Sequence, residues 1–363
     1  MAIPLTQPSG SHSKQTSEMG ETRQSSVQAV LMAGDRGASR AVRGTSKPFL
    51  PVGGKPMVIH VLEALLYTPE VSEVFVVGDP KRLDQCFAEF GAAQLMMQSG
   101  KPVHIVPQRR SLYENVWHAF LRARPASPPN VFGAVVEADR DHAILAVPCD
   151  IPLVVPEELS EFLAQAFAVD ADYVVGLTPA EAMTQFGSVD GSEGIEMACF
   201  NLAEGRYRQS NLHYVKPLRL ENRHYVQDVY ETRYQKEWGN TLRLALKIFF
   251  HEFRNVKVLF FYALMLLAGW LDRRGRTRMA AFVRRYVSLR RAERCLSDLI
   301  RGRLVTVVTA LGGAAIDVDN EADLVVLEKR LEEWKAQQIR RARALAPQRD
   351  RDASIGANER SHS

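Results

Sequence analysis

The chain has 363 residues, of which 46% are hydrophobic and 24% are charged. This composition is typical of a globular protein, so it excludes disorder along the whole length and a collagen-like fold. The four cysteines are scattered and form no C-x-x-C pair, which argues against a zinc knuckle or a disulfide framework and indicates a reducing compartment. The polar first residues lack the apolar stretch of a secretory signal. We therefore expect a cytoplasmic protein.

The positive charge is concentrated in one segment. The net charge is +4, but between Asp272 and Arg303 eleven arginines oppose three acidic residues, a local surplus of +8, and the other residues together carry −4. Any attraction to polyanions or anionic surfaces is therefore predicted to be local.

Residues 1–26 are rich in Ser, Gln and Thr without a hydrophobic period, which predicts a disordered leader. From there to residue 180, short apolar strands alternate with helices of about twelve residues, the pattern of βαβ units. We predict a mainly parallel sheet with helices on both faces. The predicted strands are Val27–Met32, Val74–Val77, Val103–Val106, Ala143–Val147 and Tyr173–Leu177.

The alternation stops after residue 180 and returns at Val305, followed by a charged helix to about Arg343. We interpret 27–180 and 304–343 as one α/β domain. Residues 181–303 are predicted to be a mostly helical insertion on its substrate side, and 344–363 a disordered tail.

A glycine loop follows the first strand: Leu31-Met32-Ala33-Gly34-Asp35-Arg36-Gly37-Ala38-Ser39-Arg40. It matches neither the P-loop nor the dinucleotide fingerprint. A glycine loop at the end of a strand lets backbone N–H groups approach phosphates closely, and Arg40 and Lys47 add positive charge. The alternative is a basic surface loop with no ligand.

This stretch resembles the signature of nucleotidyltransferases with a MobA-like NTP transferase domain, a superfamily that includes sugar-phosphate and molybdopterin nucleotidyltransferases. Their pattern is L-x-A-G-x-G-x-R, then seven residues to a Lys and eight to the Lys of G-K-P. Arg40, Lys47 and Lys55 keep both spacings. The loop has one more residue before each of the later Gly and Arg positions, which makes Arg36 a competitor for the role of Arg40.

The resemblance implies a Rossmann-like fold of the nucleotide-diphospho-sugar transferase type. It also implies catalytic roles for Arg40 and Lys47. The nucleotide-binding residues that it implies in the loop are Leu31, Ala33, Gly34 and Gly37.

Two further segments suggest a magnesium site. A strand ends just before Asp150, and Mg²⁺ is held by few protein oxygens together with substrate phosphates. Asp317 and Asp319 stand at i and i+2 of an extended segment, so they point to the same side. The resemblance implies Asp150 and Asp319 as metal ligands, with Asp317 as the runner-up. The alternative for each is a turn or a helix cap.

Two weaker sites complete the expectation. After the strand Val103–Val106, the resemblance implies that Gln108, and after it Asn115, reads the nucleobase, although a solvated turn is the alternative. In the insertion, Arg208 and Asn211 belong to a stretch of cations, amides and aromatics that could bind a phosphorylated acceptor. A partly exposed strand is the alternative there.

The resemblance implies Mg²⁺-dependent transfer of a nucleotide from an NTP to a phosphorylated acceptor, such as a sugar phosphate, with release of pyrophosphate. The alternatives are a nucleotide-sugar-dependent glycosyltransferase of related fold and a non-catalytic nucleotide-binding protein at a membrane surface. No nucleic-acid partner is expected, because no recognition module accompanies the arginines.

The apolar run Val258–Leu271 has 14 residues without charge, whereas a membrane span needs about 20. It is therefore either a buried helix or, with the arginines beside it, a peripheral contact with anionic membrane through 258–303.

Overall fold

The computed structural model describes residues 26–35, 42–124, 139–188, 191, 193–195, 197–221 and 256–361. The strands are β1 (Val27–Met32), β2 (Pro51–Val52), β3 (Lys55–Pro56), β4 (Val71–Gly78), β5 (Val103–Pro107), β6 (Ile144–Pro148), β7 (Tyr173–Pro179), β8 (Phe200–Asn201), β9 (Arg206–Val215) and β10 (Leu304–Val308). The helices are α1 (Met57–Tyr67), α2 (Pro80–Glu89), α3 (Ala92–Ser99), α4 (Leu112–Ala123), α5 (Pro156–Ala168), α6 (Ala180–Met183), α7 (Val256–Arg273), α8 (Thr277–Arg284), α9 (Leu289–Ile300) and α10 (Glu321–Ser361).

An eight-stranded sheet forms the centre, in the order β10-β7-β9-β6-β1-β4-β5, with β8 paired to β9. The pairs β1–β4, β1–β6, β4–β5 and β7–β10 are parallel, and β9 runs antiparallel between β6 and β7. The predicted mainly parallel α/β fold is confirmed.

Helices cover both faces because successive strand residues point to opposite sides. On one face Leu31 belongs to a core shared with α1 and α5. On the other face Val30 belongs to a core shared with α4 and α9. This burial on both sides explains why the strands read as continuous apolar runs and not as alternating ones.

A third core attaches the C-terminal part of the chain. Trp334 on α10 is fully buried and meets Phe186 edge-on at 5.3 Å between ring centroids. Val52 in β2 and Met57 at the start of α1 belong to the same cluster. The predicted grouping of 304–343 with the first half of the chain therefore has a packing basis.

Two boundaries differ from the prediction. Strand β9 falls inside 181–303 but lies in the centre of the sheet, so this part of the expected insertion is not separate from the α/β domain. Helix α10 extends to Ser361, past the expected start of a disordered tail at residue 344. The reason for the first difference is that strand pairing across the sheet joins residues far apart in sequence, which local pattern does not reveal.

Most of the leader, residues 1–25, lies outside the described residues. In the part of the chain that the structure describes, no helix is both long and apolar enough to span a bilayer.

Candidate active site

The site lies where β1 and β6 end side by side. Pro148 pairs with Met32, and the backbone N–H of Cys149 donates to the carbonyl of Met32 at 3.1 Å. Ala33 and Gly34, which follow β1, and the turn that carries Asp150 thus lie at the same carboxyl edge of the sheet. Ligands of open α/β sheets bind at this edge.

Lys47 joins two aspartates from distant parts of the chain. Its Nζ lies 3.0 Å from Oδ2 of Asp150 and 2.9 Å from Oδ1 of Asp319. Lys47 is the first residue of a short 3₁₀ helix, Lys47–Phe49, and Pro48 is the second. The backbone N–H of Val318 donates to the carbonyl of Asp150 at 3.0 Å, which fixes the two aspartate segments against each other.

Burial and neighbouring charges shift the pKa values of Asp150 and Lys47 in opposite directions. The pKa of Asp150 is raised by burial, although the Lys47 ammonium works against that shift. Burial lowers the pKa of Lys47, but the carboxylates of Asp150 and Asp319 outweigh it and hold the pKa above the ordinary lysine value. The pair of carboxylates thus favours the charged form of Lys47, and the ammonium in turn favours the ionised form of Asp150 against the effect of burial.

Asp317 has a different environment from Asp319. Oδ1 of Asp317 accepts from Nη2 of Arg208 at 2.5 Å, and Asp317 is buried. The Asp319 side chain is 36% exposed and is paired with Lys47. One aspartate is thus neutralised by a structural arginine, and the other faces the cluster with a free carboxylate oxygen for which the described residues show no hydrogen bond.

Arg208 and Asn211 hold the segment that precedes these aspartates. Nε of Arg208 donates to the carbonyl of Ala315 at 2.7 Å, and Nδ2 of Asn211 donates to the carbonyl of Ala314 at 3.0 Å. Both side chains therefore have structural partners within the protein, and their binding of an acceptor stays a prediction. The physical reason for these partners is the position of β9 between β6 and β7.

The predicted base-reading residues meet the glycine loop. A Cβ added to Gly34 would lie 3.3 Å from Oε1 of Gln108 and 3.6 Å from Nδ2 of Asn115. Gln108 also forms two hydrogen bonds with Asp35: it accepts from the backbone N–H at 3.0 Å and donates to Oδ1 at 2.7 Å. The structure therefore brings Gly34, Gln108 and Asn115 together, with Asp35 as a partner of Gln108.

The remaining predicted residues divide into two groups. Leu31 and Ala33 are fully buried, so they position the loop and do not expose side chains to a ligand. Gly37, Arg40 and its competitor Arg36 lie outside the described residues.

The donor set fits Mg²⁺ only with help from a substrate. Among the described residues no group of three or more His, Cys, Asp or Glu side chains could hold a metal ion. Mg²⁺, however, is commonly bound by one or two carboxylates plus substrate phosphates and water. Asp150 and Asp319, which both contact the Lys47 ammonium, are the two carboxylates that would bind Mg²⁺ there.

Three residues at the site were missed from the sequence. Oε2 of Glu158 accepts from the N–H of Ala314 at 2.9 Å, and Oε1 of Gln338 accepts from the N–H of Gly313 at 2.8 Å. Both support the segment before Asp317, while Asp35 supports Gln108. Only Asp35 had a local signal, its place inside the glycine loop; the other two lie on helices with nothing in the sequence to connect them to the site.

A mainly parallel sheet with helices on both faces, and a lysine between two aspartates at its carboxyl edge, define an α/β protein with a charged site where ligands of this class bind. Residues 29–186 match the family model of the MobA-like NTP transferase domain. This part of the chain is therefore a MobA-like NTP transferase domain, and the resemblance inferred from the sequence is confirmed.

Two known proteins are similar to this chain, one in sequence and one in fold. It is 37% identical to the 3-deoxy-manno-octulosonate cytidylyltransferase of Escherichia coli over 71 residues, which are 20% of this chain and 28% of that protein. The chain thus spans less than a third of the length of this curated relative. The structure of a hypothetical transferase from Thermus thermophilus is similar in fold, with a TM-score of 0.50 and 22% identity, over 82% of this chain and 99% of that one.

Proposed function

We propose that this chain is a nucleotidyltransferase that moves a nucleotide from an NTP to a phosphorylated small-molecule acceptor and releases pyrophosphate. The observation that carries the proposal is the placement of Lys47 between Asp150 and Asp319 in a MobA-like domain, where Asp150 follows the end of β6 beside β1. Because the relative from Escherichia coli is a cytidylyltransferase by name, CTP is the first nucleotide to consider.

In the proposed reaction an oxygen of the acceptor attacks the α-phosphorus of the NTP. A new P–O bond forms as the bond from that phosphorus to the bridging oxygen breaks, and the electron pair leaves with pyrophosphate. Such a transfer requires positioning and charge neutralisation more than covalent chemistry.

The residues of the chain supply both requirements. The charged Lys47 ammonium opposes the negative charge that develops on the phosphates, as a preorganised group does in a water-poor site. Gly34 leaves space for phosphates beside Gln108, because a side chain there would contact the Gln108 amide. Mg²⁺ held by Asp150 and Asp319 would neutralise phosphate charge and orient the triphosphate.

The test is a panel of the four NTPs crossed with sugar phosphates and polyol phosphates, with release of pyrophosphate as the signal. The sugar acid named in the cytidylyltransferase relative is included as an acceptor without phosphate. We expect release that depends on both substrates and on Mg²⁺, and that Lys47→Ala greatly reduces. Transfer from a nucleotide sugar with no pyrophosphate from any NTP would instead identify a glycosyltransferase.

Absence of both activities, together with retained nucleotide binding, would identify a non-catalytic nucleotide-binding protein. Nucleotide binding is measured in the same preparation by thermal unfolding with and without CTP. A bound ligand at one hundred times its Kd stabilises the folded state by about 2.7 kcal/mol, so a silent but intact protein is distinguishable from an inactive preparation.

A further inference from the structure

Large apolar side chains are exposed on one pair of helices. Of the ten large hydrophobic residues that are exposed in the described part of the chain, six lie on α7, on α8 and in the turn after α8. Phe260 is 63% exposed and Phe282 60%. Soluble surfaces rarely expose a contiguous apolar patch unless it binds a partner. The six residues are Phe260, Leu267, Trp270, Met279, Phe282 and Tyr286.

The exposed residues recur at helical spacing. On α7 they stand at positions i, i+7 and i+10, and on α8 and its turn at i, i+3 and i+7. Positions beside these stripes on the same helices are buried, as Ala268, Leu271 and Ala280 show. Each helix therefore buries one face against the protein and presents a second apolar stripe outward.

Exposed arginines accompany these stripes. Arg274 stacks over the Trp270 ring at 4.8 Å, and Arg291 lies 5.7 Å from the Tyr286 ring centre. Within the part of the chain that the structure describes, several of these guanidinium groups form no salt bridge with a carboxylate. Those groups belong to Arg274, Arg276, Arg278, Arg285, Arg290 and Arg291.

A basic cavity adjoins the same helices. It has a volume of about 360 Å³ and lies between the turn that joins β8 to β9 and the end of α8. Arg206, Arg284 and Arg285 line it together with Glu204. Guanidinium forks suit phosphate oxygens, so these arginines are placed to bind the phosphate of a lipid headgroup.

We propose that α7, α8 and α9 form a surface that binds peripherally to an anionic phospholipid membrane. A helix with Trp, Phe and Leu beside arginines is the pattern that lies in a membrane interface. Arginine side chains bury their stems and keep their charge among the headgroups. An anionic bilayer therefore offers an apolar layer to the stripes, and phosphates both to the arginines without a described salt bridge and to the basic cavity.

Other partners satisfy only part of these observations. A second copy of the chain would bring the same arginines against these ones, and like charges repel. A nucleic acid would take the arginines but offers no apolar layer in which to bury Phe260 and Phe282. The surface proposal does not depend on the enzymatic proposal, because binding to lipid is measured without substrates.

The experiment is sedimentation of the full chain with vesicles of phosphatidylcholine alone and of phosphatidylcholine mixed equally with phosphatidylglycerol. We expect binding to the anionic vesicles, with release as salt is raised. Each of Arg276→Gln and Arg290→Gln weakens partitioning about fivefold, and Trp270→Ser or Phe282→Ser weakens it about tenfold. Met97→Ser and Lys81→Gln, an exposed apolar residue and an exposed cation elsewhere, serve as matched controls that leave binding unchanged.

Three outcomes would overturn the proposal. The first is equal recovery in the supernatant with both kinds of vesicle. The second is binding to anionic vesicles that Trp270→Ser and Phe282→Ser leave unchanged and that added DNA abolishes. That result would indicate a general site for polyanions. The third is a dimer in solution that Phe282→Ser dissociates, with no vesicle binding by the wild type. Circular dichroism of each variant confirms that the exposed substitutions leave the fold intact.

Discussion

At the scale of single residues, the cluster of Lys47, Asp150 and Asp319 combines a stabilising role with the chemical role that we propose. Lys47 is only 7% exposed and lies within 3.0 Å of both carboxylates. Removing one partner of a buried pair leaves the other charge uncompensated and costs about 3 kcal/mol or more. Substitutions here will therefore change stability as well as activity, and the two effects must be measured separately.

Lys47→Ala is expected to lower pyrophosphate release by about 10²–10³, the scale for losing one preorganised charge near developing negative charge. Lys81→Ala, an exposed lysine on α2, is the control and keeps full activity. Turnover is measured well below the unfolding temperature of the variant. A folded Lys47→Ala protein with turnover close to wild type would show that Lys47 is structural only.

The stability deficit of Lys47→Ala is expected to depend on pH. The pKa of Asp150 is already raised by burial, and losing the ammonium raises it further. A carboxyl with a raised folded pKa stabilises at low pH and loses that contribution as pH rises through the folded pKa. The difference in Tm between variant and wild type should therefore narrow as pH falls, and a difference that stays constant from neutral to acid pH would contradict this account.

Asp319→Asn is expected to change the Mg²⁺ dependence of activity, whereas Asp317→Asn is expected to change stability. Because Asp317 is bonded to Arg208 while Asp319 faces Lys47, only Asp319→Asn should raise the Mg²⁺ concentration for half-maximal activity. Asp317→Asn should mainly lower Tm, since it leaves a buried guanidinium without its carboxylate. The measurement is a Mg²⁺ titration of the activity of both variants. A larger increase in the half-maximal Mg²⁺ concentration for Asp317→Asn would make Asp317 the ligand.

At the scale of elements, the segment from Gly313 to Asp319 is held from three sides. Strand β9 contributes Arg208 and Asn211, α5 contributes Glu158, and α10 contributes Gln338. This support fixes the backbone just before Asp319. Elements that look unrelated in the sequence thus cooperate to place one carboxylate.

Glu158 makes this support sensitive to pH. Burial raises its pKa from 4.5 to about 8, so the folded state holds this proton more tightly than the unfolded state does. Its stabilising contribution is complete below pH 4.5 and is lost as pH rises to about 8. We expect Tm to fall across this interval in the wild type and to fall less in Glu158→Gln, whose amide does not ionise.

The measurement is Tm of both proteins from about pH 5 to about pH 9. Glu157→Gln, an adjacent and less buried carboxyl on the same helix, is the matched control and should keep the wild-type dependence. Parallel curves for wild type and Glu158→Gln would show that Glu158 is ionised throughout.

At the scale of the whole molecule, the MobA-like domain is completed by residues beyond its family match. The match ends at residue 186, yet β9 and β10 extend the same sheet and α10 closes a core against Met57 and Phe186. Residues 29–186 without these elements would expose strand edges and apolar surface. The folding unit is therefore larger than the matched segment.

Trp334→Ala tests this dependence. Trp334 is fully buried, so truncation should destabilise the whole domain by about 3–5 kcal/mol. Trp270→Ala, at a tryptophan that is 41% exposed, should change stability by no more than about 0.5 kcal/mol. Denaturant unfolding followed by circular dichroism provides both values, and a small effect of Trp334→Ala would show that α10 is not part of the folding unit.

Local pattern was enough to predict the parallel sheet and to select three residues that the structure brings together at its edge. Apolar runs closed by glycine or by a proline–cysteine–aspartate turn mark β1 and β6, because strands buried on both faces must be continuously apolar. The spacing from Arg40 through Lys47 to Lys55 identified the family, since phosphate-binding loops require particular residues at particular separations. Lys47, Asp150 and Asp319 were all named on that basis.

Only the tertiary structure decided how those residues are partnered. Arg208 is 109 positions from Asp317, and no local pattern indicates that β9 enters the sheet between β6 and β7 to bring them together. The same holds for Glu158 and Gln338, which act on Ala314 and Gly313 across the core. The sequence pattern of one element indicates which of its faces is buried. Its hydrogen-bond partners depend on which other elements pack beside it. That choice is made by packing of the complete chain.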